Sequence, residues 1–142
     1  LKEEMLDKSK YEYYIGTEDS EALWSKSIRE KQPVFKNEAD GVGWNLSVSY
    51  NAPLKRYFLM TEHTQSLSGY HGMFDAPEPW GPWTTVEYVN GNWLGYGSTF
   101  FRSFSNKWLS NDGKGFVMIY TGTNREGNND AWNYIEGSFY SR

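Results

Sequence analysis

Residues 44–62 read WNLSVSYNAPLKRYFLMTE and carry the clearest structural signal in the chain. From Trp44 to Tyr50 apolar and polar residues alternate, which predicts a β-strand with one apolar face. Residues 51–55 contain turn-forming residues, and residues 56–62 predict a returning strand whose centre is apolar on both faces. The stretch therefore predicts a β-hairpin whose second strand is covered by protein on both sides.

A similar unit follows downstream, where residues 104–120 hold a strand, a turn and an apolar strand. Setting Lys55 on Lys114 aligns residues 57–60 with residues 116–119, and residues 72–75 also correspond loosely to residues 134–136. Each copy predicts about four strands. Repeats of this size and content are typical of the blades of a β-propeller.

The predicted fold class is all-β, a partial β-propeller of two to three four-stranded antiparallel blades. Blades pack face to face, which explains the apolar strands that need cover on both sides. Since closed propellers have at least four blades, we expect residues 1–142 to be part of one propeller domain that another segment or a second chain completes. Upstream, residues 11–15 predict a short strand and residues 25–31 one or two helical turns.

The composition supports this fold and excludes several functions. Seven Trp, eleven Tyr and eight Phe make up 18% of the 142 residues, and aromatic side chains suit sheets better than helices. The net charge of −4 offers no basic stripe for nucleic acid. The chain has no cysteine, and its apolar runs are too short to cross a membrane.

Several motifs carry a family resemblance that extends over almost the whole chain. They are GWNLSVSYN at residues 43–51, FDAPEPWGPW at residues 74–83, KWLS at residues 107–110 and DAWN at residues 130–133. The sequence resembles the family catalogued as domain of unknown function 4185. That resemblance implies a five-bladed propeller on exported proteins, secreted or periplasmic, with some members acting as arabinan-type glycoside hydrolases. This chain resembles the carboxy-terminal part of such a domain, whereas the catalytic acids are expected in the amino-terminal blades.

Polar residues that occur in only one copy of the repeat are the best candidates for function. If residues 44–50 and 56–62 form a hairpin closed by residues 51–55, Trp44 lies opposite Glu62, and Ser103 lies opposite Thr121 in the second copy. Asn45, Glu62 and His63 have no equivalent in that copy. We expect them at the end of the inner strands, where the channel of a propeller opens.

Glu62 and His63 are the candidate catalytic residues. A glycosidase needs two carboxyl groups, about 5 Å apart for retention or about 6.5–9.5 Å apart for inversion. Glu62 is a candidate for one of them, with His63 tuning its charge. The alternative is that Glu62 only accepts hydrogen bonds from the backbone or from an arginine.

Trp44, Asn45, Trp93 and Arg102 are the candidate substrate-binding residues. A tryptophan ring can cover the apolar face of a sugar, and Trp93 lies in a glycine-rich connection. Filling of the core is the alternative for both tryptophans, and pairing or solvation is the alternative for Arg102. No metal or cofactor is predicted, because His63 and His71 lack ligand spacing and no phosphate-binding glycine motif occurs.

These observations predict a carbohydrate as the partner, either an oligosaccharide or a polysaccharide. The first hypothesis is the carboxy-terminal portion of a glycoside-hydrolase-like propeller that binds or helps to cleave polysaccharide, and it leaves open whether the chain is an enzyme. The alternative is a non-catalytic carbohydrate-binding or structural module.

Overall fold

The computed structural model describes residues 2–43, 45–63, 70–91, 93–95, 99–123 and 131–140. Strands dominate these residues: β1 Tyr13–Glu18, β2 Glu21–Ser25, β3 Leu46–Asn51, β4 Arg56–Thr61, β5 His71–Ala76, β6 Thr84–Val89, β7 Thr99–Leu109, β8 Gly115–Gly122 and β9 Ala131–Ser138. The only helical elements described are the short 3₁₀ turns Lys2–Glu4, Lys8–Lys10, Ile28–Glu30 and Trp93–Gly95. No described helix is long and apolar enough to span a membrane.

The chain divides into two compact units, Leu1–Lys36 and Asn37–Arg142. In the first unit β1 and β2 form an antiparallel pair with a bulge between Tyr14 and Gly16. The predicted strand over residues 11–15 therefore starts later and runs past the glycine. The helical turns predicted over residues 25–31 shrink to one 3₁₀ turn, whose preceding residue Ser27 makes no side-chain cap hydrogen bond. The extent predicted for a single domain, residues 1–142, stays a prediction.

The second unit contains two antiparallel sheets. Sheet I has the strand order β3-β4-β5-β6, and sheet II has the order β7-β8-β9. The predicted all-β class is confirmed, and the described strands form open sheets of two, four and three strands, as in a partial propeller. A fourth strand for the second copy of the repeat does not occur among the described residues.

The strand pairing confirms the internal repeat. Leu59 on β4 pairs with Phe74 on β5, and Met118 on β8 pairs with Ile135 on β9. The sequence alignment matched Leu59 with Met118, and the pairing now assigns Phe74 to Ile135 within the loose match of residues 72–75 with 134–136. Equivalent residues of the two copies therefore occupy equivalent places in sheet I and sheet II.

The two sheets of the second unit pack face to face over a shared core. Its buried members are Phe58, Met60 and Met73 from sheet I, Phe104, Met118 and Tyr120 from sheet II, and Trp93 from the connection between them. β3 lies against β7, and the hydroxyl of Ser47 on β3 donates to the carbonyl oxygen of Arg102 on β7 at 2.6 Å. Sheets stacked in this way leave one face of each sheet for a further neighbour.

The first strand of sheet I turns its polar face toward sheet II. Ser47 and Ser49 are half-buried against β7, whereas Leu46, Val48 and Tyr50 are 61%, 51% and 40% exposed. The alternation predicted from the sequence is confirmed. The apolar face that it creates, however, is the one that points away from sheet II.

A buried amide joins the two hairpin turns of the unit. Asn51, 3% exposed, donates from Nδ2 to the carbonyl oxygen of Gly113 at 2.8 Å. Its Oδ1 accepts the backbone N–H of Leu54 at 3.2 Å. One side chain therefore closes the turn between β3 and β4 and holds the turn between β7 and β8.

Candidate functional site

A small cavity of about 90 Å³ lies where β3, β4 and β7 meet. Three of its lining residues, Asn45, Glu62 and Arg102, were predicted as functional from the sequence. The full lining is Asn45, Leu46, Ser47, Met60, Thr61, Glu62, Phe101, Arg102 and Ser103. Trp44, the remaining residue predicted for this end of the strands, lies outside the described residues.

Asn45 and Glu62 face each other across the hairpin. The backbone N–H of Glu62 donates to the carbonyl oxygen of Asn45 at 3.1 Å, and Asn45 Nδ2 donates to Glu62 Oε2 at 2.7 Å. Both residues are buried, with 4% and 1% exposure. The amide of Asn45 therefore fixes one oxygen of a carboxyl group that has almost no access to solvent.

The predicted register was wrong by one residue. Asn51 pairs with Arg56, so the turn is one residue shorter than the segment 51–55 assumed from the sequence, and Asn45 replaces Trp44 opposite Glu62. In sheet II, Ser103 pairs with Ile119 and not with Thr121, because the pairing shifts between Phe104 and Leu109 on the way from the turn. Turn length and bulges set the register, and neither follows from the alternation of residue types.

Gly43 lies in close contact with the backbone of Glu62. Its N–H donates to the carbonyl oxygen of Glu62 at 2.6 Å. A Cβ atom added to Gly43 would lie 1.9 Å from that oxygen. Only glycine permits this approach, so residue 43 helps to position Glu62.

Arg102 is buried with its guanidinium group bound to the backbone. One terminal nitrogen donates to the carbonyl oxygen and the hydroxyl of Thr99, both at 2.7 Å, and the other donates to the carbonyl oxygen of Tyr70 at 3.3 Å. Burial lowers the pKa of Arg102 to about 10, while the negative charges of Glu62 and Glu87 act in the opposite direction. Arg102 therefore stays protonated at neutral pH and places a positive charge at the cavity.

Trp93 supports this arginine from the core. The guanidinium carbon of Arg102 lies 5.0 Å from the centroid of the Trp93 ring, a cation–π distance. Trp93 itself is 4% exposed and packs against His71 and Tyr120. Its position in the core agrees with the alternative named from the sequence, and the sugar contact at Trp93 stays a prediction.

His63 is buried beside the cavity and not in its lining. It is fully inaccessible to solvent, its ring stacks on Tyr88 at 4.1 Å, and its Nε2 lies 2.9 Å from Asn90 Oδ1. The Tyr88 hydroxyl in turn donates to Asp40. His63 therefore belongs to a packed polar cluster behind Glu62.

His71 was not singled out by the sequence as a site residue, although it lies close to this region. It is fully buried, its ring is 4.5 Å from Trp93, and its Nε2 is 3.5 Å from Glu87 Oε2. Burial lowers the pKa of His71, and Glu87 opposes that shift. His71 is therefore neutral at pH 7. Its sequence context, the start of a strand, contains no signal that predicts these contacts.

Three residues that line the cavity carry buried polar atoms without a hydrogen-bond partner in the described part of the chain. They are Oδ1 of Asn45, Oγ1 of Thr61 and Nε of Arg102. Buried polar atoms are usually paired, since leaving one unpaired costs about 1–3 kcal/mol. The cavity therefore combines one carboxyl group with one amide acceptor, one hydroxyl and one guanidinium donor that are available to a small polar group.

The size and charge of the cavity limit its chemistry. A volume of 90 Å³ corresponds to about three water molecules and is well below the roughly 300 Å³ of a ligand pocket. Among its described lining residues Glu62 is the sole carboxyl group, whereas glycoside hydrolysis needs two. Across the described residues no three His, Asp or Glu side chains come together as a metal site. The arrangement suits recognition of one hydroxyl-bearing substituent.

No known protein family matches the sequence in a scan of family models, and a search of curated proteins also finds no match.

Proposed function

We propose that this chain is the carboxy-terminal portion of a glycoside-hydrolase-like β-propeller and that its role is to bind polysaccharide. The observation that carries the proposal is the buried Asn45–Glu62 pair next to Arg102, at the end of two neighbouring strands. A carboxylate, an amide and a guanidinium group are the side chains that hold sugar hydroxyls through charge-assisted hydrogen bonds.

Binding is favoured over cleavage by this chain alone. The cavity holds one carboxyl group among its described residues, and Asn45 Nδ2 donates a hydrogen bond to one of its oxygens. Glycoside hydrolysis needs two carboxyl groups, one that donates a proton and one that acts as base or nucleophile. In a complete propeller, a second carboxyl group from other blades would be required for hydrolysis. The resemblance to the 4185 family supports this assignment and an exported location.

The test is calorimetric binding of arabinan and other neutral polysaccharides to the full chain, with product release measured in parallel. We expect binding without release of reducing sugar. Glu62→Gln keeps the size of the side chain and an oxygen for Asn45, so we expect it to fold and to bind at least tenfold more weakly. Val86→Ala, on the exposed part of β6, is the matched control.

Three results would contradict the proposal. Unchanged affinity of a folded Glu62→Gln variant would remove the cavity from binding. Release of sugar that depends on Glu62 would show that the chain cleaves its ligand. Failure of every polysaccharide to bind would favour a structural module.

A further inference from the structure

The outer face of sheet II exposes three large aromatic side chains. Trp108 on β7, Trp132 on β9 and Tyr134 on β9 are 52%, 80% and 67% exposed. Together with Val117 and Ile119 on β8 they line an open groove of about 500 Å³, and we call these five residues the aromatic face. An aromatic side chain presents roughly 150–250 Å², so the three rings alone expose about 300–500 Å². A patch of that size equals the largest apolar patch of a typical monomer, and such patches are often functional.

The internal repeat identifies what the aromatic face is equivalent to. The alignment of the two copies places Phe58 on Val117 and Met60 on Ile119. Met60 pairs with Met73 and Ile119 pairs with Tyr134, so the strand pairing makes Met73 the equivalent of Tyr134. In sheet I these three residues are at most 4% exposed, because sheet II covers them. The aromatic face of sheet II therefore corresponds to the face of sheet I that is buried under sheet II.

The same comparison identifies the complementary surface. On sheet I, Leu46, Val48 and Tyr50 form the exposed side of β3, which we call the β3 face. Val48 pairs with Leu59 as Phe104 pairs with Met118 in sheet II. Phe104 is 7% exposed, because its face packs against sheet I. The β3 face of sheet I therefore corresponds to the face of sheet II that is buried against sheet I.

We propose that a second copy of this chain places its β3 face on the aromatic face, so that the contact between sheet I and sheet II is repeated between chains. The interface is head-to-tail, since it joins two different surfaces of the same molecule. It continues a packing arrangement that already exists within the unit, and both halves are exposed and largely apolar, with Asn133 and Glu136 also lining the groove. In the proposed propeller further blades would cover these two faces, and here a second copy takes the place of such a blade. Each chain then offers one free surface of each kind to the next copy.

The experiment is sedimentation velocity over a range of concentrations, with the wild-type chain, Trp132→Glu and Val48→Glu. Both positions are more than half exposed, so a folded chain should accept either charge. We expect the wild type to form assemblies larger than a monomer and each variant to associate at least tenfold more weakly. Val86→Glu on β6, 41% exposed, controls for the added charge.

Mixing the two variants tests the head-to-tail geometry. Val48→Glu keeps an intact aromatic face and Trp132→Glu keeps an intact β3 face, so an equimolar mixture should form a one-to-one dimer. If Trp132→Glu blocks association but Val48→Glu does not, the aromatic face pairs with itself and the proposal is wrong. A wild type that stays monomeric at about 100 μM also overturns it. Circular dichroism of each variant checks that the fold is intact.

Discussion

Replacing Gly43 with alanine should destabilise the fold by displacing the backbone of Glu62. The added Cβ would lie 1.9 Å from the Glu62 carbonyl oxygen and 2.9 Å from its carbonyl carbon. The backbone must therefore move, and the hydrogen bond from Gly43 N–H to that oxygen is lost. The effect is steric, because the backbone of Gly43 does not adopt the left-handed conformation that favours glycine.

The expected magnitude follows from three contributions. Forcing an extra carbon into a packed site costs about 1–3 kcal/mol. Loss of one hydrogen bond costs about 0.5–1.5 kcal/mol. The smaller conformational freedom of alanine in the unfolded chain returns about 0.4–1 kcal/mol. We therefore expect the free energy of unfolding to fall by about 0.5–4 kcal/mol, with a middle value of about 2 kcal/mol, which corresponds to about 2–16 °C in Tm for a domain of this size.

Urea denaturation followed by tryptophan fluorescence and circular dichroism measures this change. The matched control is Gly41→Ala, since Gly41 has φ +72° but no atom within 4 Å of an added Cβ. That variant should lose only about 0–1.6 kcal/mol, because the same gain of about 0.4–1 kcal/mol from the unfolded chain offsets about 1–2 kcal/mol of backbone strain. A Gly43→Ala variant no less stable than Gly41→Ala would refute the close approach and the positioning role of residue 43.

Three further predictions concern single side chains. Because burial lowers the pKa of His71 below its ordinary value of 6.5, the unfolded chain takes up a proton first, and stability should decline by up to about 1.4 kcal/mol per pH unit as the pH falls from about 6.5 through the lower pKa of the folded state. Thermal unfolding between pH 8 and 5 measures this slope, and His71→Gln should flatten it; an unchanged slope would assign the effect to another group. Arg102→Met should cost about 1–3 kcal/mol in urea denaturation, since it removes the donor from oxygens of Thr99 and Tyr70, whereas an effect below about 0.5 kcal/mol would show that these hydrogen bonds are not needed. Asn51→Ala should cost about 1–3 kcal/mol in the same assay because it leaves the buried Gly113 carbonyl unpaired, and a neutral result would mean that this carbonyl finds another donor.

Much of the fold is predictable because its signals are local. Alternation over residues 44–50 predicts β3, and the apolar centre of residues 57–60 predicts a strand covered on both sides; β4 has that burial. The register of the hairpin is not predictable in this way. The composition of residues 51–55 fits a turn of four residues as well as a turn of five, and the two lengths give different registers. The direction in which the β3 alternation faces depends on β7, which is distant in sequence.

The candidate site is predictable to the same extent. Asn45 and Glu62 come together because they end two strands of one hairpin, so local pattern suffices. Arg102 reaches the same cavity only through the stacking of sheet II on sheet I, and its contact with Trp93 depends on the path of a connection. The burial of His71 likewise arises from packing between the sheets and leaves no signal in residue order.

The bridge made by Asn51 has a consequence for protein engineering. Two surface loops that are distant in sequence share one amide, so neither is an independent site for grafting a peptide or inserting a tag. Lengthening either loop would separate Asn51 Nδ2 from the carbonyl oxygen of Gly113 and remove the hydrogen bond that links the two sheets at this end. The loops should therefore be redesigned together, as one composite element.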